Sequence, residues 1–181
     1  NQLLRLVNRG LGQGFARLGS RVTLVEMAPR LLVREDPEVS DQVAERFRDE
    51  GIDLRLGHKA ARFEPGEDDS TLVCESDSGA VELAFDRVLV AVGRRANTEG
   101  LGLEQLGIAL NPNGTLEVNE YLQTRIPSIY ACGDVAGPYQ FTHMASHQAW
   151  YATVNALFGR VRRFPVDYSV VPWATFTDPE V

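Results

Sequence analysis

Apolar positions recur along this chain in two periods, and the switches between them mark the elements. Leu11, Phe15 and Leu18 fall on one face of a helix over residues 11–18. Gly19 supplies a left-handed stop, after which Arg21-Val-Thr-Leu-Val-Glu26 reads as a buried parallel strand. Asp36-Pro37 is a cap followed by a proline at the first helical position. Val39, Val43 and Phe47 then repeat at four-residue spacing up to Gly51, with Glu38, Asp41, Glu45 and Asp49 on the wet side, so an amphipathic helix is predicted there. Residues 52–56 read as a short strand. Three more strands, over 60–64, 71–74 and 81–85, are separated by the turn-rich runs 65–69 and 76–79 and predict an antiparallel meander. Residues 88–92 are apolar throughout, a strand expected to be covered on both faces. After a turn at 111–114, a strand over 128–131 rises from Pro127. Thr142 is placed to cap a helix running to Phe158, with Gly159 as its stop and Ala145, Ala149, Ala152 and Ala156 as a small-residue face.

Composition narrows the class. The 181 residues, 44% of them hydrophobic, suffice for one domain or two small ones with a core. A formal net charge of −7, from 25 acidic and 18 basic residues with no basic run longer than Arg162-Arg163, argues against a nucleic-acid surface. No stretch approaches the roughly 20 apolar residues of a membrane span, and residues 1–10 carry no signal-peptide pattern, so a cytoplasmic enzyme is the default expectation. Cys74 and Cys132 lie far apart without a CxxC or CxxxxC spacing, so they are expected to be inert rather than a disulfide, a metal site or a local redox pair.

Two acids stand at strand ends. Gly133-Asp134 follows the strand over 128–131, which delivers a carboxylate where open α/β sheets bind ligands. Gly133 lets the backbone come close to a bulky group, and Asp134 is an acceptor-only side chain suited to a sugar or polyol hydroxyl. A strand followed by an Asp-initiated turn would explain the Gly-Asp pair alone. Glu26 ends the strand over 21–26, where a carboxylate accepts both hydroxyls of an adenosine ribose and repels a 2′-phosphate. That favours NAD, while Arg30 lies close enough to leave NADP open. Gly10-Leu-Gly-Gln-Gly14 suggests a dinucleotide-binding loop and does not fit one: Phe15 replaces the last glycine, and only sixteen positions separate Gly10 from Glu26.

The run Thr124-Arg-Ile-Pro-Ser-Ile-Tyr-Ala-Cys-Gly-Asp134, with the Val-Ala-Gly137 after it, resembles the second flavin-binding fingerprint of the pyridine nucleotide-disulfide oxidoreductases, the family of dihydrolipoamide dehydrogenase, glutathione reductase and mercuric reductase. The resemblance covers residues 11–181 almost continuously. It implies an α/β fold with a Rossmann-like NAD-binding domain that carries an antiparallel β-meander (1–96), the second half of an FAD-binding domain (97–165) and the first strand of a dimerisation domain (166–181). It assigns Asp134 to the ribitol chain of FAD and Glu26 to the ribose of the nicotinamide nucleotide. Ala60 would lie near the adenine through backbone or packing, and Gly93 would let the nicotinamide nucleotide approach the backbone. Gln140, Phe141, Thr142 and His143 would be flavin contacts at a helix start whose partial positive charge suits a reduced flavin. His143 as a general base ranks below a packing or capping role, and His147 reads as surface or interface. Ala96 stands where the family usually has a proline. Counted back from Gly19, the family's phosphate-binding glycines should fall at 3–5 and at Asn8, where this chain has none. Residues 1–10 are therefore expected to be a truncated or non-native start, with Gly12 and Gly14 as small positions in a helix packed closely on the sheet.

The implied activity is hydride transfer from NAD(P)H to FAD, and then electron transfer to a disulfide-linked acceptor of the mercuric-ion or lipoamide type, in a homodimer. The family's CxxxxC redox disulfide and its His-Glu acid-base pair match no residues here, so no catalytic residue and no metal site is assigned, and this chain alone is not expected to turn over. Two alternatives stand beside that reading: a flavin-dependent NADH oxidase without a redox disulfide, and a nucleotide-binding module that never turns over.

Overall fold

The structure, a computed structural model, describes residues 2–6, 9–66 and 69–181, the first run and Arg9 by backbone alone. Asn1–Gly93 with Trp173–Val181 makes one compact unit, and Arg94–Pro172 makes another.

In the first unit, strands β1 (Gln2–Leu6), β2 (Arg21–Glu26), β3 (Asp53–Leu56) and β7 (Arg87–Val90) form a parallel sheet in the order β3-β2-β1-β7. Helix α1 (Arg9–Arg17) links β1 to β2, and α2 (Pro37–Asp49) leads from β2 to β3. Strands β4 (Lys59–Glu64), β5 (Ser70–Ser76) and β6 (Gly79–Phe85) make the antiparallel meander expected from the turn signals, with a bulge between Ala60 and Arg62. Both layers meet on β2. Val22 and Leu24 join Leu31, Val43, Phe47 and Ile52 in one cluster, while Val25 joins Leu72, Cys74 and Phe85 in another. A strand buried from both sides is held firmly, so the residue that ends it, Glu26, is well placed.

Several local expectations are corrected. Leu11, Phe15 and Leu18 are 51%, 39% and 82% exposed, so they are not the buried face of α1. Gly12, Gln13 and Ala16 turn inward instead, because Gln13 is tied down by polar bonds: its Nε2 donates to Glu50 Oε1 (3.2 Å) and to the Asp178 carbonyl (2.8 Å), and its Oε1 accepts from the Asp178 N–H (2.8 Å). Gly14 is exposed, and a Cβ there would meet open space, so of the two glycines only Gly12 is a packing position. Residues 2–6 form a central strand, and Asn1, Val7 and Asn8, also covered by the expectation of a truncated or non-native start, lie outside the described residues. Strand β7 is an edge strand, with Val88 and Val90 37% and 55% exposed, because β1 flanks one side and nothing pairs on the other among the described residues. Asp36 holds the N-cap position of α2 without a side-chain bond, and the proline at N1 alone fixes the start.

In the second unit, Ile108, Leu116, Ala131 and Ala136 form a small core. Residues 128–131 are not a strand: Tyr130 makes one isolated antiparallel bridge, to Gln123. A strand needs a ladder beside it, and none is present there among the described residues. Helix α3 (Thr142–Phe158) has Phe141, not Thr142, at its N-cap. Its buried stripe is Met144, Gln148, Ala152 and Asn155, and Ala156 is exposed. Residues 171–181 form no strand. Their last nine belong to the first unit, where Arg17 bridges both Glu50 and Asp178 at 2.6 Å.

Candidate functional site

The carboxyl edge of the parallel sheet gathers the candidate nucleotide residues of the first unit. Val25 aligns with Leu6, and Leu6 with Val90, so Glu26 and Gly93 lie one and three residues beyond the same level, two strands apart. Strand spacing puts about 10 Å between those two paths. Glu26 is held twice: its Oε1 accepts the Ala28 N–H at 3.0 Å, and its carbonyl accepts the His58 N–H at 3.0 Å. Gly57 N–H closes the same corner on the Ala28 carbonyl at 2.9 Å. The His58 ring is pinned by Nδ1 to the Leu56 carbonyl (2.7 Å). Ala60 follows in β4, paired with Cys74, and packs on the Val25 cluster, so its methyl serves packing and offers no chemistry. Gly93 has φ +144°, which favours glycine, and a Cβ would meet nothing within 4 Å. The backbone there is open to a flat ligand.

Arg30, the cation that left NADP open, is engaged. Its Nη1 donates to the Glu35 carbonyl (3.0 Å) and its Nη2 to the Val33 carbonyl (3.1 Å). The loop it closes is rooted in the core, with Leu31 and Leu32 buried, Leu32 held at φ +49°, and the Leu31 carbonyl accepting the buried Ser40 hydroxyl at 2.6 Å.

In the second unit, the backbone turns sharply at Gly133 (φ +78°) into a short 3-10 turn, Gly133–Val135, with Asp134 exposed on it. A Cβ at Gly133 would stand 3.2 Å from the Ala145 Cβ, so the turn lies against the first turn of α3. No side-chain cap closes α3 at Phe141, and its first turn holds no acid. The positive end of the helix dipole therefore sits on the element that Gly133 touches. Gln140, Phe141, Thr142 and His143 are brought together at that helix start, with the Phe141 and His143 rings stacked at 5.3 Å. The Gln140 carbonyl accepts Arg94 Nη1 at 2.7 Å. His147 turns away, its Nε2 within 2.8 Å of the Asp167 carbonyl.

Two residues at this site escaped the sequence reading. Arg94, in the stretch after Gly93, fastens the Gln140 carbonyl. Gln148 is completely buried and grips the Asp134 turn from α3; the available signal was an amide, like Asn155 two turns on, interrupting the apolar side of a helix. An exposed acceptor carboxylate beside a glycine cradle and an uncapped helix start suits a polyol-linked anionic ligand, and the Glu26 corner suits a ribose diol. The residues present thus fit a flavin nucleotide and a nicotinamide nucleotide. Among the described residues no group of three or more His, Cys, Asp or Glu could hold a metal ion, and no helix is long and apolar enough to cross a membrane.

Residues 11–149 match the family model described as pyridine nucleotide-disulphide oxidoreductase. A dihydrolipoyl dehydrogenase of Thermus scotoductus is 39% identical over 172 residues, covering 94% of this chain and 36% of that protein. A mercuric reductase of Staphylococcus aureus is 37% identical over 171 residues, covering 94% of the chain and 31% of the relative. Among solved structures, the HOCl-induced flavoprotein disulfide reductase RclA of Escherichia coli, in its Cu(II) complex, superposes with a TM-score of 0.86 at 32% identity over 99% of this chain and 41% of its own. The chain spans about a third of the length of the curated relatives it matches.

Proposed function

The chain belongs to the pyridine nucleotide-disulphide oxidoreductases, and from that premise we propose that it is the part of a flavoprotein reductase that binds both the nicotinamide nucleotide and one arm of FAD. Residues 1–96 are assigned to the nicotinamide-nucleotide domain, 97–165 to the later part of the FAD domain and 166–181 to the start of a dimerisation domain; the break between compact units at Gly93 supports the first boundary. Asp134 holds the polyol of the flavin, and the start of α3 at Gln140–His143 faces its ring. Glu26 takes the ribose hydroxyls, and Gly93 admits the nicotinamide half. When bound, FAD would accept hydride from the reduced nicotinamide and pass electrons to an acceptor such as a disulfide or a mercuric ion. The residues of this chain bind and orient.

NAD is the preferred nucleotide in this reading. A 2′-phosphate would meet the Glu26 carboxylate, and Arg30 is already committed to the Val33 and Glu35 carbonyls. The observation that carries the assignment is the Gly133–Asp134 turn pressed on the uncapped start of α3. The test is anaerobic bleaching of bound flavin in the full-length protein. NADH should bleach it at least about tenfold faster than NADPH, and Asp134→Ala should weaken flavin binding. A full-length protein that purifies and remains without flavin in the presence of excess FAD refutes the reading, and a marked NADPH preference refutes the role of Glu26.

A further inference from the structure

Gln148 lies one and a half turns inside α3, carries no exposed surface, and spends all of its side-chain hydrogen bonds outside its own helix. Its Oε1 accepts the Gly133 N–H at 2.6 Å; its Nε2 donates to the Gly137 carbonyl at 2.6 Å and to the Tyr168 hydroxyl at 2.7 Å. The amide therefore spans the turn that carries Asp134, holding the residue before it and the residue three after it. Gly133 and Gly137 both sit at positive φ (+78° and +63°), a geometry that local sequence alone does not enforce, so the turn needs an outside clamp. Tyr168 backs the clamp; its ring packs on Tyr139 at 5.6 Å, and burial pushes its phenol above the usual range.

We propose that Gln148 is the positioning residue of the flavin site: a buried amide that fixes the Gly133–Gly137 turn and so sets where the Asp134 carboxylate meets the flavin polyol. The inference rests on the assignment of Asp134 to that polyol. Only an amide satisfies all three partners in one protonation state, since it accepts at one end and donates twice at the other. A leucine would leave a buried donor and a buried acceptor unmade, and an ionised glutamate would set an oxygen against the Gly137 carbonyl. A protonated glutamic acid would accept from Gly133 and donate to Gly137. The titratable group in contact with this position is Tyr168, itself packed on Tyr139, while the turn that Gln148 clamps carries Asp134 and follows Cys132.

The experiment uses full-length protein and free FAD, with flavin fluorescence reading the dissociation constant. Gln148→Leu should raise it at least about tenfold, the worth of one buried hydrogen bond left unmade. Asn155→Leu is the comparison. Asn155 is equally buried on the same helix and bonds Tyr121 and Phe164 rather than the turn, so its loss should leave flavin affinity within about twofold. Gln148→Glu should bind flavin weakly near pH 8 and recover toward the parent value near about pH 5, because a buried carboxyl stays protonated well above its usual range. This readout remains if the leucine variant fails to fold. Equal loss in the Asn155 and Gln148 variants, or a Gln148→Glu variant whose affinity does not respond to pH, overturns the inference. An Asp134→Ala variant with unchanged flavin affinity instead overturns the assignment beneath it, and an Asp134 effect without a Gln148 effect overturns this inference alone.

Discussion

Replacing Gly133 by alanine probes the contact on which the proposed flavin site rests. At φ +78° an L-residue costs about 1–2 kcal/mol relative to glycine. The added methyl would also stand 3.2 Å from the Ala145 Cβ, inside the roughly 3.5–4.0 Å at which carbons pack well. Relief requires the turn and α3 to part by a few tenths of an ångström, at the lower end of the about 1–3 kcal/mol typical of overpacking. The two together give about 2–3 kcal/mol. Gly114 is the internal control: φ is +81° and a Cβ would meet nothing within 4 Å, so Gly114→Ala should cost only the backbone part, about 1–2 kcal/mol. Denaturant unfolding of residues 1–181 in a Trp173→Phe background reads the right unit, because Trp150 is then the one tryptophan of that stretch and lies in Arg94–Pro172. Adding Ala145→Gly to Gly133→Ala should return the packing part in a double-mutant cycle, after correction for the about 1 kcal/mol that glycine costs a helix. If Gly133→Ala destabilises no more than Gly114→Ala and shows no coupling to position 145, the turn does not lie on α3 and the geometry of the site fails.

Two further outcomes follow from the first unit. The Arg17 guanidinium holds Glu50 below the usual carboxylate range, with the Gln13 amide assisting, so the stability of this network is fully present above the ordinary Glu value of about 4.3 and is lost as pH falls through the depressed one. Glu50→Gln should therefore lower the thermal midpoint at neutral pH and converge with the parent in acid; a difference that grows on acidification would contradict the pairing. Cys74 is buried in the Val25 cluster, and burial pushes its thiol up, so a thiol reagent should modify it only after unfolding. In residues 1–181, a Cys132→Ser variant checks this by showing no titratable thiol while native, and rapid native labelling would count against the packing of the meander on β2.

How much of this was legible from sequence depended on whether a feature is local. Helix α2 and the meander were readable because period and punctuation are properties of neighbouring residues: Val43 and Phe47 repeat at the helical interval and are both buried, and the glycine- and acid-rich runs break the strands where the chain turns. The same holds for Glu26 at the tip of β2 and for the glycine before Asp134. Burial was less legible, because it belongs to the partner as much as to the residue. Leu11, Phe15 and Leu18 carry an apolar period yet face outward, since Gln13 on the other side of α1 finds Glu50 and Asp178, 37 and 165 positions away. Residues 128–131 look like a strand and lack a ladder. In α3, the two polar side chains that a hydrophobic pattern would send to water, Gln148 and Asn155, are buried, because backbone groups of distant turns need the hydrogen bonds that only an amide supplies. Local pattern points to the residues proposed to bind the nucleotides; which of them are held in place, and by what, is set by contacts far along the chain, since a long-range hydrogen bond leaves no period in the chain that makes it.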